Sequence, residues 1–98
     1  MKLTTKQKQY LKGLAHELSP VVFLGKGGVK DSLVVETKKS LEAHELIKVR
    51  IDADEGADRK ELAEKLAAAA DAHLAGTIGK IAILYREREE KPRIKLPS

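Results

Sequence analysis

Val21-Val22-Phe23-Leu24-Gly25-Lys26-Gly27-Gly28 is a short apolar run that breaks into a glycine-rich loop. Its first four residues are β-formers held between Pro20 and Gly25, and they read as a strand buried on both faces. The loop hands the chain to a helix predicted from about Lys30 to His44, with Val34 and Leu41 along one face. Leu46-Ile47-Lys48-Val49-Arg50-Ile51 follows and alternates after its first residue, so Ile47, Val49 and Ile51 should face a core. Strand, helix, strand in this order is the βαβ unit of an α/β domain, with a right-handed crossover.

Upstream, Thr4 or Thr5 can cap a first helix in which Leu11, Leu14 and Leu18 recur at spacings of three and four. Ser19-Pro20 stops it, because the residue before a proline is pushed out of the α region. Downstream, Asp52 to Ala57 reads as an acidic loop, and Asp58 with Glu61 follows the logic of a capping box. A third helix then runs to about Leu74, with Leu62, Leu66 and Ala69 or Ala70 inward. Gly76 and Gly79 bracket the entry to a strand over Lys80 to Arg86. The tail from Glu87 to Lys91 is charged and expected to be mobile, and Ile94 and Leu96 suit a short edge strand between Pro92 and Pro97. The expected order is α-β-α-β-α-β and a final short strand. That makes one compact α/β domain over residues 1–98, with a mixed four-stranded sheet and helices packed on it. Helices two and three should share a face; the placement of helix one is left open.

The 98 residues are enough for one modest core. No apolar stretch is long enough to cross a membrane, and the basic start Met1-Lys2-Leu3 has no apolar run after it, as a signal peptide would. Cysteine is absent, which removes disulfides, thiol nucleophiles and cysteine-based zinc sites, and fits a reducing cytoplasm. Lys and Arg number 19 against 15 Asp and Glu, a net charge of +4. The first fifty residues carry ten basic and five acidic side chains, so the positive charge belongs to the first half. A polyanion is its natural partner, against the plainer reading of a solvated lysine surface.

Gly25-Lys26-Gly27-Gly28 sits between a strand and a helix start. Glycines allow backbone N–H groups to point to one side and another backbone to come close. The helix N-terminus adds unpaired N–H groups, and Lys26 and Lys30 add full charges, so a phosphate suits the loop. The Walker pattern and the third glycine of the dinucleotide fingerprint are both missing. G-x-x-G with a basic residue inside is the form by which KH-type domains clamp an RNA backbone. A bare structural turn is the commoner meaning of two glycines three apart.

A wider set of residues narrows this. Leu3-Thr4-Thr5-Lys6-Gln7, Leu14-Ala15-His16, Pro20-Val21-Val22, the Gly25–Gly28 loop, His44-Glu45-Leu46-Ile47-Lys48-Val49, Ile78-Gly79 and Leu84-Tyr85-Arg86 resemble, in order and spacing, the CRM domain of chloroplast RNA splicing and ribosome maturation. The likeness is strongest to its bacterial single-domain, YhbY-like form. The resemblance implies a fold similar to the C-terminal domain of translation initiation factor three with an added N-terminal helix. It also implies RNA binding and, for the bacterial form, association with precursors of the large ribosomal subunit. Carried over, the expected RNA contacts are Gly25, Lys26, Gly27 and Gly28, with Lys30 and Lys12 as neighbours. A cytoplasmic monomer with no cofactor, no metal, no membrane and no DNA partner is expected. One departure is Ala75-Gly76, where the family often has Val-Gln.

Other chemistry finds little support. His16, His44 and His73 are far apart, with His44 expected at a helix end and His16 near the helix-one core. Asp52, Asp54, Glu55 and Asp58 miss the EF-hand spacing. Aromatics are limited to Tyr10, Phe23 and Tyr85, with the last two expected in the core, so backbone recognition is favoured over base stacking. No serine–histidine–acid set or paired carboxylates mark an enzyme. The alternative reading is a small enzyme or metabolite-binding domain using the same loop for a nucleotide or phosphorylated ligand.

Overall fold

Thr4 opens the first helix with a complete capping box. Its hydroxyl accepts from the Gln7 N–H at 3.1 Å, and the Gln7 side chain accepts from the Thr4 N–H at 3.0 Å. The computed structural model describes residues 2–53 and 56–98. Its elements are α1 (Thr5–Ala15), β1 (Pro20–Leu24), α2 (Asp31–His44), β2 (Leu46–Ile51), α3 (Gly56–Ala69), β3 (His73–Ile78) and β4 (Ile81–Tyr85). The strands form one mixed sheet in the order β1-β2-β4-β3. β1 and β2 are parallel, joined by α2, while β2–β4 and β4–β3 are antiparallel.

The alternation of β2 divides the molecule into two layers of core. Ile47, Val49 and Ile51 join Val22, Leu24, Ala82 and Leu84 beneath Leu41 of α2 and Ala63, Leu66, Ala67 and Ala70 of α3. The alanines let α3 lie close to the strands. On the opposite face, Leu46, Ala75, Ile83 and Tyr85 pack against Leu3, Leu11 and Ala15, so α1 lies across the sheet from α2 and α3.

The element order matches the sequence reading, but the last two strands fall elsewhere. α3 ends at Ala69, short of Leu74, because Asp71 adopts φ 56°. The Ala72 N–H then donates to Ala67 O at 2.8 Å and the Asp71 N–H to Ala68 O at 3.2 Å, a Schellman stop with Asp in the place glycine usually takes. His73–Ile78 is therefore a strand, and it turns back into β4 through Gly79 and Lys80. Gly79 has φ 57°, which a type II′ hairpin requires at its first loop position. Ile94 and Leu96 form no strand; they pack on the α1-side core. Asp58 lies inside the first turn of α3 and does not cap it, since the helix has already begun at Gly56. Residues 54–55 of the expected acidic loop lie outside the described residues.

The tail is tied down where mobility was expected. Glu45 ends α2 with φ 63° and is fully buried. Its carboxylate accepts from the N–H groups of Arg88 at 3.0 Å, Arg93 at 2.5 Å and Ile94 at 2.9 Å. Burial alone would raise its pKa. The three backbone donors and the charge of Arg88 outweigh that and hold it below its ordinary 4.5. Gln7 fastens the far end, donating to Pro97 O at 3.0 Å.

Candidate nucleic-acid interface

At the end of β1 the Asp52 N–H donates to Leu24 O at 2.9 Å, fixing the exit of the strand beside β2. The chain then makes a tight turn in which the Gly28 N–H donates to Gly25 O at 3.1 Å. Gly28 has φ 76°, a value that side-chain-bearing residues adopt only under strain. At Gly27 the missing Cβ leaves room for a neighbour: a Cβ there would lie 2.6 Å from Cε of Lys30 and would push that flexible side-chain end aside. The Lys30 side chain is folded over Gly27, placing its ammonium against the loop. No described residue accepts from the N–H groups of Lys26 and Gly27. Lys30 caps α2 without a side-chain bond, so the first-turn N–H groups of that helix are also uncapped, although Asp31 brings a negative charge among them.

The loop has two unlike sides. On the α3 side, Lys26 borders a recess with Asp52, Asp58, Glu61 and Lys65. On the other, Gly27 and Lys30 border a recess with Phe23, Ser32 and Glu36. The first side carries at least three carboxylates and would repel a polyanion, whereas Glu36 is the one carboxylate lining the second. Among the described residues the one ion pair is Lys65–Glu61 at 3.7 Å, leaving Lys26 and Lys30 without a carboxylate partner.

Phe23 corrects the sequence reading. It was expected in the core, yet it is 63% exposed, because β1 is an edge strand whose outer face α1 does not reach. Lys12 is also not at the loop. Its stem covers Gly76 of β3, at the opposite edge of the sheet from β1. There the departure Ala75-Gly76 leaves room for the Lys12 stem, whose flexible end a side chain at position 76 would displace. Gly25, Lys26, Gly27, Gly28 and Lys30 are thus brought together and Lys12 is set apart. Arg50 and Lys80, which sequence reasoning passed over, lie at the loop end of the sheet: Arg50 pairs with Phe23, and Lys80 O accepts from the Ile51 N–H at 2.7 Å. The alternation of β2 could have signalled Arg50, since it is out of phase with Val49 and Ile51.

The model of the CRS1 / YhbY (CRM) domain matches residues 3–86. The chain belongs to this family. Relatives of the CRM domain described here include "Probable RNA-binding protein YqeI" of Bacillus subtilis, 41% identical over 95 residues, covering 97% of this chain and 99% of that one. An RNA-binding protein of Haemophilus influenzae is 42% identical, with 97% and 95% covered. The solution structure of protein SAV1595 from Staphylococcus aureus superposes with a TM-score of 0.87 at 42% identity, over 97% of this chain and 99% of that one.

The rest of this CRM domain offers little other chemistry. His44 ends α2 as expected, but His16 is exposed at the end of α1, where its carbonyl accepts from Lys48 Nζ at 3.4 Å, and is not packed in a core. His73 stacks on Tyr85 with ring centroids 6.4 Å apart. Burial, with Glu87 and Glu45 nearby, raises the Tyr85 hydroxyl above its ordinary 10.0. No group of three or more potential metal ligands forms among the described residues. No helix is long and apolar enough to cross a membrane.

Proposed function

We propose that this CRM domain binds RNA by its sugar–phosphate backbone at the Gly25–Gly28 loop and acts as a cytoplasmic, monomeric assembly factor on precursors of the large ribosomal subunit. It is a binding module and not an enzyme. The observation that carries the reading is the loop itself: two N–H groups without an acceptor, a glycine at φ 76°, and the ammonium of Lys30 folded onto Gly27. Together these make a cradle for a phosphate with a full charge already beside it. The RNA-binding names of the relatives support the partner, and the YhbY-like pattern supports the ribosomal setting.

The reading predicts a specific lesion. In Gly27→Asp, the new carboxylate falls on Lys30 and cancels its charge, and it adds repulsion where a phosphate should sit. Only a flexible side-chain end has to move, so the fold is kept. In a ribosome gradient at low salt, wild type should travel with large-subunit precursors and Gly27→Asp should stay at the top. Wild type at the top as well would overturn the assembly role and leave the nucleotide or metabolite reading to be screened. If five or six basic residues neutralise phosphates, log K should fall against log salt with a slope of about −4 for single-stranded RNA.

A further inference from the structure

Beside the loop, the α1 face of the sheet is left open. The register puts Phe23 opposite Arg50, Arg50 opposite Ile81, and Ile81 opposite Ile78, so these four side chains share one face in one row. Phe23 is 63% exposed and Ile78 59%. The row crosses all four strands, a span of about 14 Å at the usual strand spacing. An exposed phenylalanine by itself is ordinary. This one shares a recess with Gly27 and Lys30, and the cation of Arg50 lies next to it.

Resting on the RNA reading above, we infer that the open row is a platform for unpaired nucleotides, on which Phe23 stacks the base next to the phosphate held by the loop. The ring offers a π-face to any base, and Arg50 can lie against the same base or its phosphate. Charge selects the occupant. Arg50, Lys30 and Lys80 fringe the row without a carboxylate partner among the described residues, while the carboxylates at this end belong to Glu36, Asp31 and the far side of the loop. An apolar strip edged by free cations suits a polyanion carrying aromatic bases. A rigid A-form duplex cannot use it, because its bases are already stacked and paired. The substrate class is therefore single-stranded or looped RNA, with little discrimination among bases.

The test compares two RNAs: an oligoadenylate of about 12 nucleotides and a paired duplex of about 16 base pairs. Phe23→Leu should lose roughly fivefold to tenfold on the single strand and nothing on the duplex. The chain has no tryptophan, so Phe23→Trp places its single tryptophan there, excited apart from Tyr10 and Tyr85, and oligoadenylate should quench it. Undiminished single-strand affinity in Phe23→Leu, equal losses on both RNAs, or an unquenched Trp in a bound complex would overturn the platform. Gly27→Asp separates the two proposals, since it should weaken both RNAs. If only Phe23→Leu matters, the loop reading fails and the platform stands. If wild type binds neither RNA, both fall. A dimer lost in Phe23→Leu with RNA affinity intact would assign the row to a second copy of the chain.

Discussion

The sheet face beneath α2 and α3 is closed over β1, β2 and β4, whereas the face beneath α1 is covered at one end and open at the other. Val22, Leu24, Val49, Ile51, Ala82 and Leu84 are all buried on the closed face. Directly behind them, Phe23 and Arg50 look outward. Two residues adjacent in sequence thus serve opposite ends: Leu24 holds the fold, and Phe23 is available to something else. The closed face should carry the stability, and the open end can change without unfolding the domain.

The largest effects should follow that division. Leu66→Ala empties a fully buried position between α3 and the sheet and should cost about 2–5 kcal/mol in urea unfolding. Phe23→Leu should stay within about 0.5 kcal/mol of wild type. If Phe23→Leu were as damaging as Leu66→Ala, the open face would be a core face and the comparison would collapse.

The covered end of the α1 face has its own fastening, and pH should expose it. Glu45→Gln keeps the size of the side chain but weakens its hold on the Arg88, Arg93 and Ile94 N–H groups, at a cost on the order of 1–3 kcal/mol at pH 7. The folded-state pKa of Glu45 lies below 4.5, so its stabilisation is present above that value and is lost as pH falls through the folded pKa. Unfolding of wild type and Glu45→Gln should therefore differ at pH 7 and converge in the acid range below 4.5. A gap that stayed constant with pH would show that the charge of Glu45 is irrelevant to the clasp.

Local pattern explains which parts of this molecule were legible. β2 was readable to the residue because its alternation is strict, and α2 to within one residue because the loop and β2 bound it. The end of α3 was not, since the residue that stops it at φ 56° is Asp71, where a glycine would have signalled the turn. The role of Glu45 was equally hidden: its partners lie 43 to 49 residues away. Val21-Val22-Phe23-Leu24 looks the same whether one face or both are covered, so the exposure of Phe23 depends on where α1 lies, which no short window records. The loop was found by its glycines. The acidity of its α3 side arises only when α3 folds alongside.

The smallest effects concern single charges, and they decide how far along the sheet RNA runs. Lys30 rests on the loop and Lys12 on Gly76, three strands away. If RNA touches only the loop and Phe23, Lys30→Ala should lower affinity for oligoadenylate a few-fold and reduce the salt slope by about 0.7, the share of one phosphate contact on a single strand. Lys12→Ala should then leave the slope unchanged. Equal slope changes would mean that the strand crosses the whole row from Phe23 past Ile81 to the Lys12 edge, which lengthens the site and keeps its chemistry. No change from either would place the phosphate contacts elsewhere and overturn the loop reading, leaving the open face to be judged by Phe23→Leu. The slope is the readout to use, because removing a lysine stem from Gly76 can alter packing and affinity slightly, whereas only a lost phosphate contact alters the salt dependence.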